Sequence, residues 1–183
     1  MIVHPLAGRI NRWKGQSLFV HAAAIVHSVL PGVQFLIAGD VYAGEERFRT
    51  ELIQLIAEKQ LSETVRLLGQ VEDMSHFYQS IDIFILPSVQ PEPFGLVLLE
   101  AMEYALPVIA TNHGGPTEII TQGVDGYLVD YQKPDEMAKR IIELAEDPVL
   151  RESMGQKGKK KQKQFSMSAM VNEITDVLCQ HLQ

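Results

Sequence analysis

At 183 residues the chain has the length of one well-buried domain, and its 46% apolar and 21% charged residues are typical of a globular protein. A net charge of −7 argues against nucleic acid or an anionic membrane surface as partner, because both favour basic faces. The single cysteine, Cys179, excludes an internal disulfide, and no apolar run reaches the roughly 18 residues that span a bilayer. With no signal peptide evident, the sequence predicts one cytoplasmic domain comprising residues 1–183.

Short apolar runs alternate with helical patterns along the chain. The predicted strands are Met1–Leu6, Gln34–Ala38, Val65–Leu68, Ile83–Leu86, Val108–Ala110 and Gly126–Val129. The predicted helices are Ser17–Leu30, Glu45–Lys59, Met74–Ser80, Gly95–Tyr104, a short one opening at Pro116, Pro134–Glu146, Pro148–Lys163 and Ser168–Leu182. This alternation predicts an α/β fold with a doubly wound, Rossmann-like parallel sheet of six strands in the order 3-2-1-4-5-6, followed by extra C-terminal helices.

The loop after the first strand, Gly8–Gly15 (GRINRWKG), carries Arg9, Arg12 and Lys14 in an otherwise acidic protein. Open α/β sheets bind ligands at the carboxyl ends of their strands, and the predicted strand order places this loop opposite the turn after the fourth strand. Arg9 and Lys14 are therefore candidate phosphate-binding residues. A surface salt bridge is the alternative for a lone basic residue in a loop.

The segment Pro87–Met102 (PSVQPEPFGLVLLEAM) turns from a buried strand into a helix and carries two carboxylates in apolar surroundings. Flanking prolines hold Glu92 in extended backbone. The helix that follows is apolar on all sides, which predicts burial between the sheet and its neighbours. Its first N–H groups, from Phe94 to Leu96, suit a phosphate group because a helix N-terminus carries partial positive charge.

Glu100 lies within this apolar helix. A buried carboxylate is costly unless hydrogen-bond donors surround it, and the two hydroxyls of a ligand diol would serve. Glu100 lies about 7.5 Å along the helix axis from the phosphate-binding amides, which is the scale that separates a phosphate from a ribose. A structural partner, such as a buried arginine or a neighbouring loop, is the alternative.

Two common nucleotide fingerprints are missing from the sequence: the first strand–helix turn lacks Gly-x-Gly-x-x-Gly, and no Walker-type loop occurs. Two cations, a helix N-terminus and a carboxylate around one crevice suit a nucleoside diphosphate. His113, in the loop Asn112–Pro116, is a candidate base, although a lone loop histidine is more often solvated or structural. The five lysines of Lys157–Lys163 are interpreted as a solvated face, with membrane headgroups or a partner domain as the alternative.

These segments resemble the C-terminal, donor-binding domain of the retaining group 1 glycosyltransferases, which have the GT-B fold. The resemblance covers nearly the whole chain through GRINRWKG, the strand ending at Gly39–Asp40, LLGQV, IDIFILPS, EPFGLVLLEAM, LPVIAT with HGGPTEII, and GVDGYLV. The spacing Glu92-x7-Glu100, with Pro-Phe-Gly between, is highly specific in this context. The resemblance implies transfer of a sugar from a UDP-, GDP- or ADP-linked donor to an acceptor, with retention of anomeric configuration and with no cofactor or metal.

Residue by residue, the resemblance implies that Arg9 and Lys14 bind the donor diphosphate and that Glu100 holds the ribose. Glu92 would lie at the transferred sugar and, with Arg9 and Lys14, form the catalytic set. The implied nucleotide-sugar site consists of Gly8, Arg9, Lys14, Gly69, Val71, Glu92, Phe94, Gly95, Leu96 and Glu100. Where the family commonly has a glycine before Leu-Pro-Val, this chain has Ala105, and its methyl group is expected to affect packing only.

Family members carry a separate N-terminal domain for the acceptor, and none of it is expected within these residues. We therefore expect this chain to bind donor without transferring sugar, with Glu92 projecting into solvent. The resemblance is also compatible with peripheral membrane contact of a full-length protein that carries both domains. Two other function classes stay open: a nucleotide-sugar epimerase of similar architecture, and a non-catalytic nucleotide-binding or interaction domain.

Overall fold

A parallel sheet organises the described part of the chain. The computed structural model describes the backbone of residues 2–5, residues 8–166, and residues 169, 171 and 175. The strands are β1 (Ile2–Pro5), β2 (Gln34–Ala38), β3 (Val65–Gly69), β4 (Ile83–Leu86), β5 (Val108–Thr111) and β6 (Gly126–Val129). They pair in parallel in the order β3-β2-β1-β4-β5-β6, so the order reverses between β1 and β4.

Helices connect successive strands and extend the chain beyond β6. They are α1 (Gln16–Val29), α2 (Glu46–Glu58), α3 (Met74–Gln79), α4 (Leu96–Glu103), α5 (Pro116–Ile119), α6 (Pro134–Glu146) and α7 (Pro148–Gln162), with a 3₁₀ turn at Lys163–Phe165. The α/β class and the Rossmann-like parallel sheet are confirmed. The predicted helix Ser168–Leu182 lies outside the described residues except at positions 169, 171 and 175. The two ends of the predicted strand Met1–Leu6 also lie outside the described residues.

Strand β4 separates two apolar layers, because successive side chains of a strand point to opposite faces. Ile83 and Ile85 belong to the core formed with α1 and α6, whereas Phe84 and Leu86 belong to the core formed with α4. All four side chains are fully buried. Burial on both faces accounts for the continuous apolar run in the sequence and places the end of β4 at the centre of the sheet, beside β1.

Helix α4 is buried on one side only, so the prediction of burial on all sides was wrong. Leu98, Ala101 and Met102 are fully buried at the spacing of one helix face. Leu96 is 64% exposed, and Glu100 is also exposed. Apolar side chains on a helix face do not ensure that another element packs against that face. The described residues leave the outer face of α4 uncovered.

Ala105 follows α4 with φ +57°, in the left-handed region that glycine adopts without strain. The expectation that its methyl group affects packing only was therefore wrong. For a residue with a Cβ, this conformation costs about 1–2 kcal/mol. The departure from glycine at this position thus stores backbone strain at the end of α4.

We expect Ala105→Gly to stabilise the domain. Relief of strain, ~1–2 kcal/mol, is partly offset by the larger entropy of glycine in the unfolded chain, ~0.4–1 kcal/mol. The midpoint of thermal unfolding should rise by about 1–4 °C at this chain length. Ala57→Gly, at an exposed position within α2, is the control and should lower the midpoint because glycine is a poor helix former. A similar fall in both variants would contradict the strain at Ala105.

Candidate functional site

The basic loop after β1 is held in place by hydrogen bonds to its backbone. Asn11 Oδ1 accepts from the N–H groups of Trp13 and Lys14 at 2.9 and 3.0 Å, which folds the loop into a tight turn. The carbonyl of Trp13 accepts from the N–H of Val89, beyond β4, at 2.8 Å. Lys14 therefore projects from a backbone that is fixed relative to the end of β4.

The turn that carries Glu92 lies against the loop before α5 at backbone contact distance. The backbones of Glu92 and Gly114 form a bridge, and the N–H of Gly115 donates to the carbonyl of Glu92 at 2.8 Å. Gly114 has φ +70°, and a Cβ on it would clash with the backbone of Glu92, while a Cβ on Gly115 would clash with the Phe94 carbonyl. The paired glycines thus permit the close backbone approach between the two loops.

The carboxylate of Glu92 is paired with the basic loop. Its Oε2 accepts from Lys14 Nζ at 2.7 Å and from Ser88 Oγ at 3.1 Å. The Glu92 side chain is 15% exposed and that of Lys14 is 28% exposed. The expectation that Glu92 projects into solvent was wrong, because the facing cation draws it inward. The Lys14–Glu92 pair also shows that the basic loop after β1 and the turn after β4 face each other where the strand order reverses.

Ser88 and His113 form hydrogen bonds next to the turn that carries Glu92. Ser88 is 2% exposed, and its carbonyl accepts from Thr111 Oγ1 at 2.6 Å and from His113 Nε2 at 2.7 Å. A carbonyl can only accept, so Nε2 of His113 carries the proton. The imidazole also stacks on Tyr131 at 4.9 Å between ring centres. His113 therefore occupies the structural role that the sequence weighed against that of a catalytic base.

A cleft of about 460 Å³ opens at the carboxyl edge of the sheet, on the β2 side of the strand reversal. Its walls include Gly8, Arg9, Tyr42, Gln70, Val71 and Glu100. The guanidinium of Arg9 lies 4.1 Å from the centre of the Tyr42 ring. The cleft therefore combines a cation held over an aromatic ring with a carboxylate, and these charged groups suit the phosphate and the ribose of a nucleotide.

Only some of the predicted site residues line the cleft. Gly8, Arg9, Val71 and Glu100 line the cleft, whereas Lys14 pairs with Glu92 beyond its walls. Gly69 ends β3, and its carbonyl accepts from the N–H of Gly39, a wall residue of the cleft, at 2.6 Å.

The start of α4 is the third predicted component. Gly95 precedes the helix with φ +98°, and no described side chain caps the first N–H groups. Phe94 and Leu96 are 42% and 64% exposed, and the Phe94 ring packs edge-on against Phe165 at 6.3 Å between ring centres. The helix start therefore offers backbone donors at an open surface, although the residues around it are not walls of the cleft.

Glu100 has a partner that the sequence reasoning missed. Tyr78 Oη, from α3, donates to Glu100 Oε2 at 2.8 Å. Burial, and next the hydrogen bond to Glu100, raise the pKa of Tyr78 well above its ordinary value, so its hydroxyl stays protonated. Glu100 is thus an exposed carboxylate held from one side, rather than a buried one that lacks a donor. The available signal was Tyr78 itself, because a buried tyrosine hydroxyl usually has a hydrogen-bond partner.

The lysine run at the end of α7 points mostly to solvent. Lys161 Nζ donates to Thr121 Oγ1 at 2.6 Å and lies 3.4 Å from Asp125 Oδ2, while the other four lysines are exposed. Within the described ranges, no group of three or more His, Cys, Asp or Glu side chains could hold a metal ion. No helix in this same part of the chain is long and apolar enough to cross a bilayer.

The fold and the cleft define a Rossmann-like domain with an open cleft beside the point where the strand order reverses. Residues 3–161 match the family described as Glycosyl transferases group 1, and the chain belongs to this family. A D-inositol 3-phosphate glycosyltransferase of Paenarthrobacter aurescens is 35% identical over 81% of this chain and 36% of its own length. A GDP-mannose-dependent mannosyltransferase of Corynebacterium glutamicum is 31% identical over 90% of this chain and 44% of its own length. The chain thus spans less than half the length of these relatives.

Solved structures agree with the family. The Anabaena protein HepE, in complex with UDP and glucose, is 30% identical with a TM-score of 0.88, over 97% of this chain and 48% of that one. The C-terminal domain of the group 1 glycosyl transferase LpcC from Francisella tularensis is 28% identical with a TM-score of 0.83, over 91% of this chain and 86% of that one. The resemblance to a C-terminal GT-B domain is confirmed.

We expect Gly114→Ala to destabilise the domain more than the same change at Gly44. Both glycines have positive φ, but a Cβ at Gly44 meets nothing within 4 Å, whereas one at Gly114 meets the Glu92 backbone. Strain alone costs about 1–2 kcal/mol at either site, and the clash should add about 1–3 kcal/mol at Gly114. Urea unfolding monitored by circular dichroism measures both. Equal losses would show that the loops can separate without cost.

Proposed function

We propose that this chain is the donor-binding domain of a retaining glycosyltransferase and that it binds a nucleoside diphosphate sugar at the carboxyl edge of its sheet. The observation that carries the proposal is the cleft in which Arg9, from the loop after β1, and Glu100, from α4, face one ligand-sized space. Transfer to an acceptor would need an N-terminal acceptor-binding domain, in keeping with the partial coverage of the relatives.

The arrangement suggests an orientation for the donor. The base would lie near Gln70 and Val71, the ribose would meet Glu100, and the diphosphate would extend past Arg9 toward Lys14 and the start of α4. The sugar would then lie near Glu92. HepE was solved with UDP and glucose, and the Corynebacterium relative is named as GDP-mannose-dependent, which supports UDP and GDP as the first nucleotides to test.

In the proposed reaction an acceptor hydroxyl oxygen bonds to the anomeric carbon as the bond from that carbon to the diphosphate oxygen breaks. The hydroxyl proton is released, and negative charge builds on the leaving diphosphate. Arg9 and Lys14 would stabilise that charge, and removal of one such preorganised donor typically costs about 2.7–4 kcal/mol of transition-state stabilisation. A diphosphate leaves without prior protonation, so the acid of a two-carboxylate hydrolase is not required.

Lys14 would have to be shared between ligand and protein. Its ammonium group lies 2.7 Å from Glu92 Oε2, so the diphosphate oxygens compete with this carboxylate. Ser88 also donates to Oε2, which keeps Glu92 in place if Lys14 turns toward phosphate. Glu92 would then accept a hydrogen bond from a hydroxyl of the donor sugar.

We expect Arg9→Ala combined with Lys14→Ala to abolish calorimetric binding of UDP and GDP. Each charge-assisted contact contributes about 1.5–3 kcal/mol, so loss of both lowers affinity by at least about 100-fold. Arg12→Ala is the control, because it removes one positive charge from the same loop while Arg12 lies over the Phe48 ring, 5.6 Å from its centre. Far-ultraviolet circular dichroism should be unchanged in both variants. Retained affinity in the double variant would show that Arg9 and Lys14 do not bind the diphosphate.

We expect this 183-residue chain to bind donor but not to transfer sugar. Correct orientation of an acceptor supplies about 7–11 kcal/mol of the barrier, and this requires a second wall around the anomeric carbon. Transfer is compared between this chain and a version extended at its N-terminus by an acceptor-binding domain, with one radiolabelled UDP-sugar and a mixture of acceptors. Equal turnover would place an acceptor site within these residues. Formation of the epimeric nucleotide sugar would instead indicate an epimerase.

A further inference from the structure

The hydrogen bond from Tyr78 to Glu100 joins two helices across the wall of the cleft. Tyr78 lies in α3 and is 2% exposed, whereas Glu100 lies in α4 and faces the cleft. The bond therefore runs from a buried donor to an exposed acceptor. Such a donor does not contact the ligand, but it decides where the acceptor points.

The tyrosine ring is held on several sides. It stacks on Tyr104 with the ring centres 5.4 Å apart and the planes 22° apart, and it packs against Phe84 at 5.8 Å. The ring cannot rotate its hydroxyl away from Glu100 without breaking these contacts. Because the hydroxyl stays protonated, it always donates and never competes as an anion.

Glu100 gains a fixed orientation from this bond. A glutamate side chain has three rotatable bonds, and its ordering at the moment of ligand binding would cost conformational entropy. With Oε2 bonded to Tyr78, the carboxylate plane is set in advance, while Oε1 and the remaining lone pair of Oε2 can accept from a ligand. Two adjacent acceptors in one plane match the two neighbouring hydroxyls of a ribose.

We propose that Tyr78 is a positioning residue that orients Glu100 toward the ribose and so sets the discrimination between ribonucleotides and 2′-deoxyribonucleotides. This rests on the proposed function, in which Glu100 accepts from the ribose. A deoxyribose offers one hydroxyl fewer, so it gains less from a correctly oriented carboxylate. Loss of the tyrosine hydroxyl should therefore weaken the ribonucleotide selectively.

The test is calorimetric titration of this chain with UDP, GDP and ADP and with their 2′-deoxy counterparts. We expect Tyr78→Phe to lower affinity for the best-bound ribonucleotide by about three- to tenfold, with little change for its deoxy form. Tyr104→Phe is the matched control, because it removes a hydroxyl from the same stack, and that hydroxyl bonds Ser75 Oγ at 2.9 Å rather than Glu100. The ratio of ribonucleotide affinity to deoxyribonucleotide affinity should be the same in Tyr104→Phe as in the wild type.

A double-mutant cycle separates this inference from the proposed function. In the Glu100→Ala background, which removes both acceptor oxygens, Tyr78→Phe should cause much less further loss, because the two residues act through one bond. If Glu100→Ala abolishes discrimination and Tyr78→Phe leaves it intact, Glu100 reads the ribose but Tyr78 does not position it. Equal loss of ribo and deoxy ligands in Tyr78→Phe would also overturn the positioning role. If the wild type binds none of the six nucleotides, the proposed function and this inference fall together.

Discussion

The loops at the carboxyl edge of the sheet meet at backbone contact distance, and this constraint sets the geometry of the candidate site. A Cβ on Gly15 would clash with the Pro87 carbonyl, and Cβ atoms on Gly114 and Gly115 would clash with the backbone from Glu92 to Phe94. The start of α1, the Glu92 turn and the start of α5 are therefore fixed relative to one another without intervening side chains. Groups that project from such a frame are oriented before a ligand arrives, which is the condition for effective electrostatic stabilisation.

Charge is distributed unevenly over this acidic domain. Its net charge is −7, so an anionic ligand has to be attracted by local groups rather than by the whole molecule. Arg9 lies over an aromatic face and Lys14 against a carboxylate, and both interactions hold a cation at the edge of the sheet. A guanidinium over a ring keeps its N–H groups in the plane available for phosphate oxygens, so Tyr42 can orient Arg9 without occupying its donors.

The alternation of elements was predictable because periodicity is a local property. Buried strands such as Ile83–Leu86 appear as short apolar runs, and helices appear as longer patterns between them. Prediction failed where a neighbour was needed to decide the outcome. Helix α4 carries apolar residues outside its buried face, such as Leu96, yet the described residues cover only the face of Leu98, Ala101 and Met102. Ala105 gave no local sign of its positive φ, because that conformation follows from the way the chain leaves α4 and enters β5.

The sequence by itself determined the alternating α/β architecture, the loops that carry Arg9, Lys14, Glu92 and Glu100, and the resemblance to group 1 glycosyltransferases. Only the tertiary structure decided how these side chains are paired. The Lys14–Glu92 bond spans 78 residues and the Tyr78–Glu100 bond spans 22, and neither has a periodic signature. A side-chain hydrogen bond depends on distances of a few tenths of an ångström and on rotamers, which packing between separate elements sets. The sequence and its spacing identify the candidate side chains. The distances and orientations between these side chains are set by the sheet that brings their loops and helices together.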